Sequence, residues 1–233
     1  MSRPPVSDPA VLPRKSRELQ SHHFDSTAWN DFRFRDGDVV IATYAKSGTT
    51  WLQQIVTQLI FGGDADVAPA ELSPWLDLRI PPTDVKLALL EAQTHRRCIK
   101  THLPVDALVM SPLAKYVYVG RDGRDVLWSL YNHHSAANAT WYRLINDTPG
   151  RIGPPIGRPG PDVRAYFLEW LERDGHPFWS LWENVRSWWA IRDQPNVLFV
   201  HFDELKADLE AGIRRIAGFL EIEVEAARWP AIV

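Results

Sequence analysis

A chain of 233 residues has room for one sizeable core, and 45% hydrophobic with 24% charged residues is the composition of a globular protein, not of a disordered or fibrous one. A formal charge of -3 and an isoelectric point near 6.2 exclude a general polyanion binder such as a nucleic-acid domain, so any anion site has to be local. The lone Cys98 excludes an internal disulfide, no run approaches the roughly 20 apolar residues that span a bilayer, and the N-terminus lacks a signal-peptide core; a cytoplasmic setting is expected. The Asn138-Ala139-Thr140 sequon would then go unused.

In chain order, residues 1–23 carry prolines and mixed charge without periodicity and read as a flexible arm, with a single domain over 24–233. After the Asp36-Gly37 turn signal, DVVIATY is a short Val/Ile-rich run that suits a buried parallel strand. Leu52, Ile55, Val56, Leu59 and Ile60 then recur at helical spacing until Gly62-Gly63 stops the pattern. Similar apolar runs at RCIKTH, KYVYVGR and NVLFVHF alternate with helical patterns, which predicts an α/β fold with a central parallel sheet. Asp122 and Asp125 give an acidic first turn to a helix after Arg121. The stretch from Ser135 to Asp162, with its run TPGRIGPPIGRPGPD, reads as a long loop and candidate lid. Two stripes, Phe178-Leu181-Trp182-Val185-Trp188-Trp189 and Leu205-Leu209-Ile213-Ile216-Leu220, read as core helix faces, and most of the eleven tryptophans as core or pocket wall.

The informative feature is the strand-loop-helix TYAKSGTTW at 43–51. A helix N-terminus leaves backbone N–H groups without partners and carries the positive end of the macrodipole, so small residues there form an anion cradle. Gly48 permits close backbone approach, Ser47, Thr49 and Thr50 add hydroxyls, and Lys46 adds a point charge. A capped helix with an exposed lysine fits the same residues. A nucleoside triphosphate P-loop needs glycine directly before its lysine; here the order is lysine, serine, glycine, which leaves a P-loop kinase poorly supported. The pairs His22-His23 and His133-His134 lack further ligands at metal spacing, so no metal is expected.

TYAKSGTTW resembles the phosphosulfate loop of the cytosolic sulfotransferase family, and further matches follow in family order. KTHLP at 100–104 is similar to the family's catalytic-histidine segment and YVGRDGRDVLWSLYNHH to its 3'-phosphate motif. LWENVRSWW with VLFVHFDELKADL is similar to a downstream helix and strand, and SPWLDLRIPP to an acceptor-side segment. The resemblance runs from about Asp36 to Leu220. It implies a P-loop-like three-layer α/β/α fold and transfer of the sulfuryl group of 3'-phosphoadenosine 5'-phosphosulfate (PAPS) to a hydroxyl or amine of a small aromatic or apolar acceptor, leaving 3'-phosphoadenosine 5'-phosphate (PAP).

Carried residue by residue, the resemblance makes His102 the general base, Lys46 the charge that stabilises the bridging oxygen, and Lys100 a second catalytic cation. Lys46, Ser47, Gly48, Thr49, Thr50 and Trp51 would bind the donor, Trp51 by stacking on adenine. Arg121 and Ser129, eight apart, would grip the 3'-phosphate; Arg124 reads as a solvated helix charge. Phe202 stands where the family often has a tyrosine, and Ala45 replaces the usual proline. The sequence stops at AARWPAIV without the family's R-K-G-x-x-G-D-W stretch, so the expectations include a missing C-terminal part and a half-built 3'-phosphate clamp. A non-catalytic adenosine-phosphate binder is the alternative this leaves. The acceptor and the oligomeric state are not legible.

Overall fold

A computed structural model describes residues 11–63 and 68–233. A short antiparallel hairpin, β1 (Gln20–Ser21) and β2 (Phe24–Asp25), leads into β3 (Asp38–Thr43), α1 (Thr49–Phe61), α2 (Pro69–Leu72) and α3 (Thr83–Ala92). Then come β4 (Cys98–Thr101), β5 (Ala114–Gly120), α4 (Gly123–Ala136), α5 (Ala139–Asn146), α6 (Val163–Glu172) and α7 (Leu181–Trp189). The chain continues through β6 (Val197–His201), α8 (Phe202–Ala207), α9 (Leu209–Leu220) and α10 (Trp229–Ile232).

Four strands form a parallel sheet in the order β4-β3-β5-β6. Every residue of β3 is buried, as a parallel strand covered on both faces requires. Alternation along the strand sorts its side chains. Val40 and Ala42 join Tyr116, Tyr118, Val126, Leu130 and Trp188 on one face, while Val39 and Ile41 join Leu52, Val56, Ile213 and Leu220 on the other. Helices on both faces of one parallel sheet make a three-layer α/β/α fold, as expected.

The chain leaves β3 for β4 on one side and then crosses back to β5 on the other, so the strand order reverses at β3, and the crevice at its carboxyl end is where doubly wound sheets bind ligands. All four strands end at that edge, and the residues just beyond them include Lys46, His102 and Arg121.

Several elements depart from the sequence reading. The arm is tied down before residue 24: Arg17 pairs with Asp106 at 2.8 Å and Glu183 at 2.7 Å, Lys15 donates to Ser26 O at 2.9 Å, and Gln20–Ser21 is already strand. These are scattered polar contacts to remote segments, which leave no periodic trace in sequence. The rest of the expected arm, residues 1–10, lies outside the described residues. The stretch read as loop contains α5, capped by Asn138 through its side chain to Trp141 N, so only its later part is irregular. The stripe from Leu205 to Leu220 is broken at Asp208, which caps α9 through Ala211 N. In α7 Trp188 is fully buried, but Trp182 and Trp189 are 60% and 55% exposed, so the stripe overstates the core.

Candidate active site

The β3–α1 loop turns sharply enough to need two residues in the left-handed region, Lys46 at φ 64° and Gly48 at φ 105°. A Cβ on Gly48 would stand 2.8 Å from the Phe202 ring, so backbone conformation and packing both demand glycine. Gly48 caps α1 without any side-chain bond, and its carbonyl accepts from Leu52 N at 3.0 Å. The first-turn N–H groups of Thr49, Thr50 and Trp51 are thereby left to whatever occupies the crevice.

That crevice is a cavity of about 590 Å³. Lys46, Gly48, Thr49, Thr50 and Trp51 line it with Lys100, His102, Arg121 and Ser129, which brings together nearly all the expected site residues from four separate segments. Ser47 and Phe202 are the exceptions. Ser47 is buried behind the loop, its amide donating to Tyr44 O at 3.2 Å. Phe202 backs the site: it packs edge-on to Trp51 at 5.4 Å between ring centroids and carries the Arg121 guanidinium 4.2 Å above its ring. Neither faces the cavity, and sequence spacing alone does not separate a wall residue from the one behind it. Arg124 is 85% exposed and paired with Asp122 at 2.7 Å, the solvated charge it was read to be.

His102 follows β4 directly and is nearly fully buried. Its Nδ1 lies 2.8 Å from Thr43 O, and a carbonyl only accepts, so Nδ1 carries the hydrogen and Nε2 keeps its lone pair. Nδ1 also lies 3.0 Å from Thr43 Oγ1, which sits 2.7 Å from Thr49 Oγ1; hydrogen-bonding groups thus connect the imidazole to the anion loop. The His102 carbonyl accepts from Trp179 Nε1 at 2.8 Å and Asn184 Nδ2 at 2.9 Å, which fixes the backbone beneath the ring. Burial, with Lys100 nearby, pushes the imidazole well below its ordinary value of 6.5. A neutral imidazole with a free Nε2 is the form that accepts a proton.

Lys100 points into the same space, its ammonium 4.2 Å from the Trp75 ring centre, and burial lowers it to about 8 even though Asp77 favours its charge. Lys46 is lowered too, by burial and then by Arg121. Arg121 donates from Nη1 to Lys46 O at 3.0 Å; its Nε makes no hydrogen bond, with an ion contact to Asp125 at 3.9 Å. Among the described residues lining the cavity there are three Lys/Arg side chains, Lys46, Lys100 and Arg121, and no carboxylate. Desolvated like charges repel one another, and an anion of multiple charge between them relieves this.

The far end of the cavity was only partly foreseen. Trp75, Leu78 and Ile80, from the segment read as acceptor-side, do line it. The Trp75 ring is fixed by its Nε1 donating to the fully buried Asp77 at 2.9 Å, a carboxylate that also accepts from Trp29 Nε1 at 3.1 Å. His23, Ala45, Leu130, His133, His134, Trp141, Leu144, Ile145 and Phe178 complete the wall and were missed as site residues. For Trp141 and its neighbours a signal existed: Asn138 is a helix-start residue. The histidine pairs were weighed only as metal ligands.

A phosphate-type loop at the switch point of a parallel sheet and three converging cations, beside an oriented neutral histidine, define an α/β protein with an anion-binding crevice. The family model described as the sulfotransferase domain matches residues 36–233, so the chain belongs to the sulfotransferase domain family. It is 33% identical over 219 residues to a glycolipid sulfotransferase of Mycobacterium tuberculosis, covering 85% of this chain and 67% of that one, and 33% identical over 199 residues to mouse sulfotransferase 1B1, covering 82% and 60%. A crystal structure of mouse sulfotransferase SULT7A1 complexed with PAP superposes with a TM-score of 0.67 at 23% identity, covering 88% of this chain and 65% of that one. A retinol dehydratase in complex with retinol and PAP gives 0.65 at 23% identity, covering 90% and 69%. The chain thus spans about two thirds of the length of such relatives, and the solved structures speak for the fold.

Proposed function

We propose that this chain is a PAPS-dependent sulfotransferase that moves a sulfuryl group to a hydroxyl or amine of a small acceptor, with His102 as general base. The observation that carries the reading is the convergence of Lys46, Lys100 and Arg121 on one cavity with a histidine whose Nδ1 is held by Thr43 O and whose Nε2 keeps its lone pair. PAPS supplies the activated sulfuryl group. The residues present fit such a donor: α1's unpartnered N–H groups with Lys46, Thr49 and Thr50 hold a 5'-phosphosulfate, and Arg121 with Ser129 holds a 3'-phosphate. The Arg121 Nε, which makes no hydrogen bond and only a 3.9 Å ion contact to Asp125, supports the latter.

His102 Nε2 takes the acceptor's proton while Nδ1 stays anchored on Thr43 O, so the ring does not swing as it becomes cationic. Lys46 and Lys100 stabilise negative charge growing on the leaving oxygen, at strength because they are partly desolvated. The acceptor end is apolar and aromatic, through Trp75, Trp141, Leu144 and Phe178, which supports an apolar or aromatic acceptor. The mycobacterial relative acts on glycolipids by its name, and a solved relative is complexed with retinol, both amphipathic hydroxyl compounds.

Transfer of radiolabelled sulfate from PAPS to a panel of phenols, alkyl alcohols and glycolipids tests the reading. Label is expected on at least one acceptor with wild-type protein and on none with His102→Ala. Normal turnover by that variant would remove His102 from the mechanism.

A further inference from the structure

The Gly/Pro-rich run read as a lid does not cover the donor cavity: the wall of that cavity ends at Ile145 and resumes at Phe178. Residues 155–162 instead roof a second cavity of about 320 Å³. The roof is fastened. Asn146 brackets Ile156, accepting from its N at 2.8 Å and donating to its O at 3.0 Å, while Arg158 donates to Ser135 O and Ala137 O, both at 2.5 Å. Tyr131 OH lies 3.2 Å from Gly160 O and Pro161 O.

The two cavities share one wall. His134 lines both, held between Trp141 on the donor-cavity side, with ring centroids 5.7 Å apart, and Tyr166 on the other, whose hydroxyl lies 3.1 Å from His134 Nδ1. The adjacent residues Pro177 and Phe178 line one cavity each.

The second cavity has a mixed lining. Tyr166, Trp170 and four prolines, 155, 159, 161 and 177, give flat apolar surfaces. Glu169, Arg173, Asp162 and His176 give hydrogen-bonding groups. Glu169 and Arg173 pair with each other at 2.8 Å and Asp162 caps α6 through Arg164 N and Ala165 N, so an alkyl chain there would strip water from an ion pair and a helix cap and offer no hydrogen bond in return. A polyhydroxylated ring does both things, laying its C–H face on an aromatic or proline surface and sharing its hydroxyls among carboxylate, guanidinium and imidazole.

We propose that this cavity is a second subsite of the acceptor, taking a glycosyl-type ring while the acceptor's reacting hydroxyl reaches past His134 to His102. The inference rests on the sulfotransferase reading and names the acceptor class: a hydroxyl compound carrying a sugar at a distance from the reacting group. Selectivity then resides in α6 and the proline-rich roof, apart from the catalytic groups.

Two acceptors with the same reacting phenol separate the subsite from the chemistry: 4-methoxyphenol and 4-hydroxyphenyl β-glucoside. Wild-type protein should prefer the glucoside in kcat/KM. Ala165→Trp, which fills the cavity from α6, should lower kcat/KM for the glucoside by about tenfold and leave 4-methoxyphenol within about twofold. Glu169→Gln, which removes a carboxylate acceptor without changing size, should act in the same sense and more weakly. Thermal melting checks that both variants fold. Independently of turnover, methyl β-glucoside should shift the Trp170 indole N–H resonance of the wild type and not of Ala165→Trp. Equal loss on both acceptors, loss on neither, or an unmoved Trp170 resonance overturns the subsite. If neither phenol is sulfated by the wild type, the wider acceptor panel decides the transfer reading, and the Trp170 titration decides the subsite by itself.

Discussion

At the donor end of the cavity, Lys46 and Gly48 to Trp51 come from one stretch, joined by the Arg121 and Ser129 side chains, and the groups that matter include backbone N–H donors fixed by a left-handed glycine. At the acceptor end, His23, Trp75, Trp141, His134 and Phe178 come from five stretches, and each contributes a side chain. A backbone-built site is rigid and specific for a charge pattern, because its donors are held by the strand and helix they connect. A side-chain-built site follows the identity and placement of individual residues, so it can differ among proteins with the same donor loop. The donor end defines the reaction and the acceptor end defines its object.

The sharpest way to break this division is at the junction of the two ends. His102→Ala should lower kcat by about 10²–10⁴-fold, the usual contribution of a positioned base, while PAP affinity stays within about twofold. Lys46→Ala should lower kcat/KM by about 10²-fold and weaken PAP as well, since the lysine meets the donor in ground and transition state. Trp141→Ala should raise the acceptor's KM by roughly tenfold and leave PAP binding unchanged, because it reaches only the acceptor end. A loss of PAP affinity in Trp141→Ala would dissolve the division.

The pH profile of kcat/KM reports the free protein. Lys100, lowered to about 8, is protonated below that value and neutral above it, so kcat/KM should decline as pH rises through about 8. His102, already depressed by burial, stays neutral through the ordinary imidazole range, so no acid limb should appear near 6.5. Lys100→Met should remove the alkaline limb. The smallest effect is expected for Arg124→Ala, within about twofold on every parameter, since its pairing with Asp122 is exposed. A large effect there would shift the phosphate grip from Arg121.

The same division explains what could be read from the chain in advance. The parallel sheet was legible because β3 and β5 carry unbroken apolar runs at 39–42 and 116–119, and the donor loop because its glycine and hydroxyls are contiguous. His102, Arg121 and Ser129 needed the motif resemblance to rise above isolated polar residues. The acceptor wall was poorly legible because its members are ordinary aromatics and histidines until the fold gathers them. α5 was hidden by reading Asn138 as a sequon rather than a helix cap. Ser47 and Phe202 were placed in the right neighbourhood and one layer too far forward. The proline-rich run was recognised as unusual, but which cavity it roofs depends on tethers from Tyr131, Asn146 and Arg158 that no local pattern announces.

The central claim is that the three cations and the α1 N-terminus form a site for an adenosine nucleotide phosphorylated at both the 3' and 5' positions. Calorimetric titration with PAP, 5'-AMP and ATP plus magnesium tests it directly. The account predicts that PAP binds most tightly, that 5'-AMP binds more weakly, and that Arg121→Ala brings PAP down toward 5'-AMP. Tighter binding of ATP with magnesium than of PAP would contradict it.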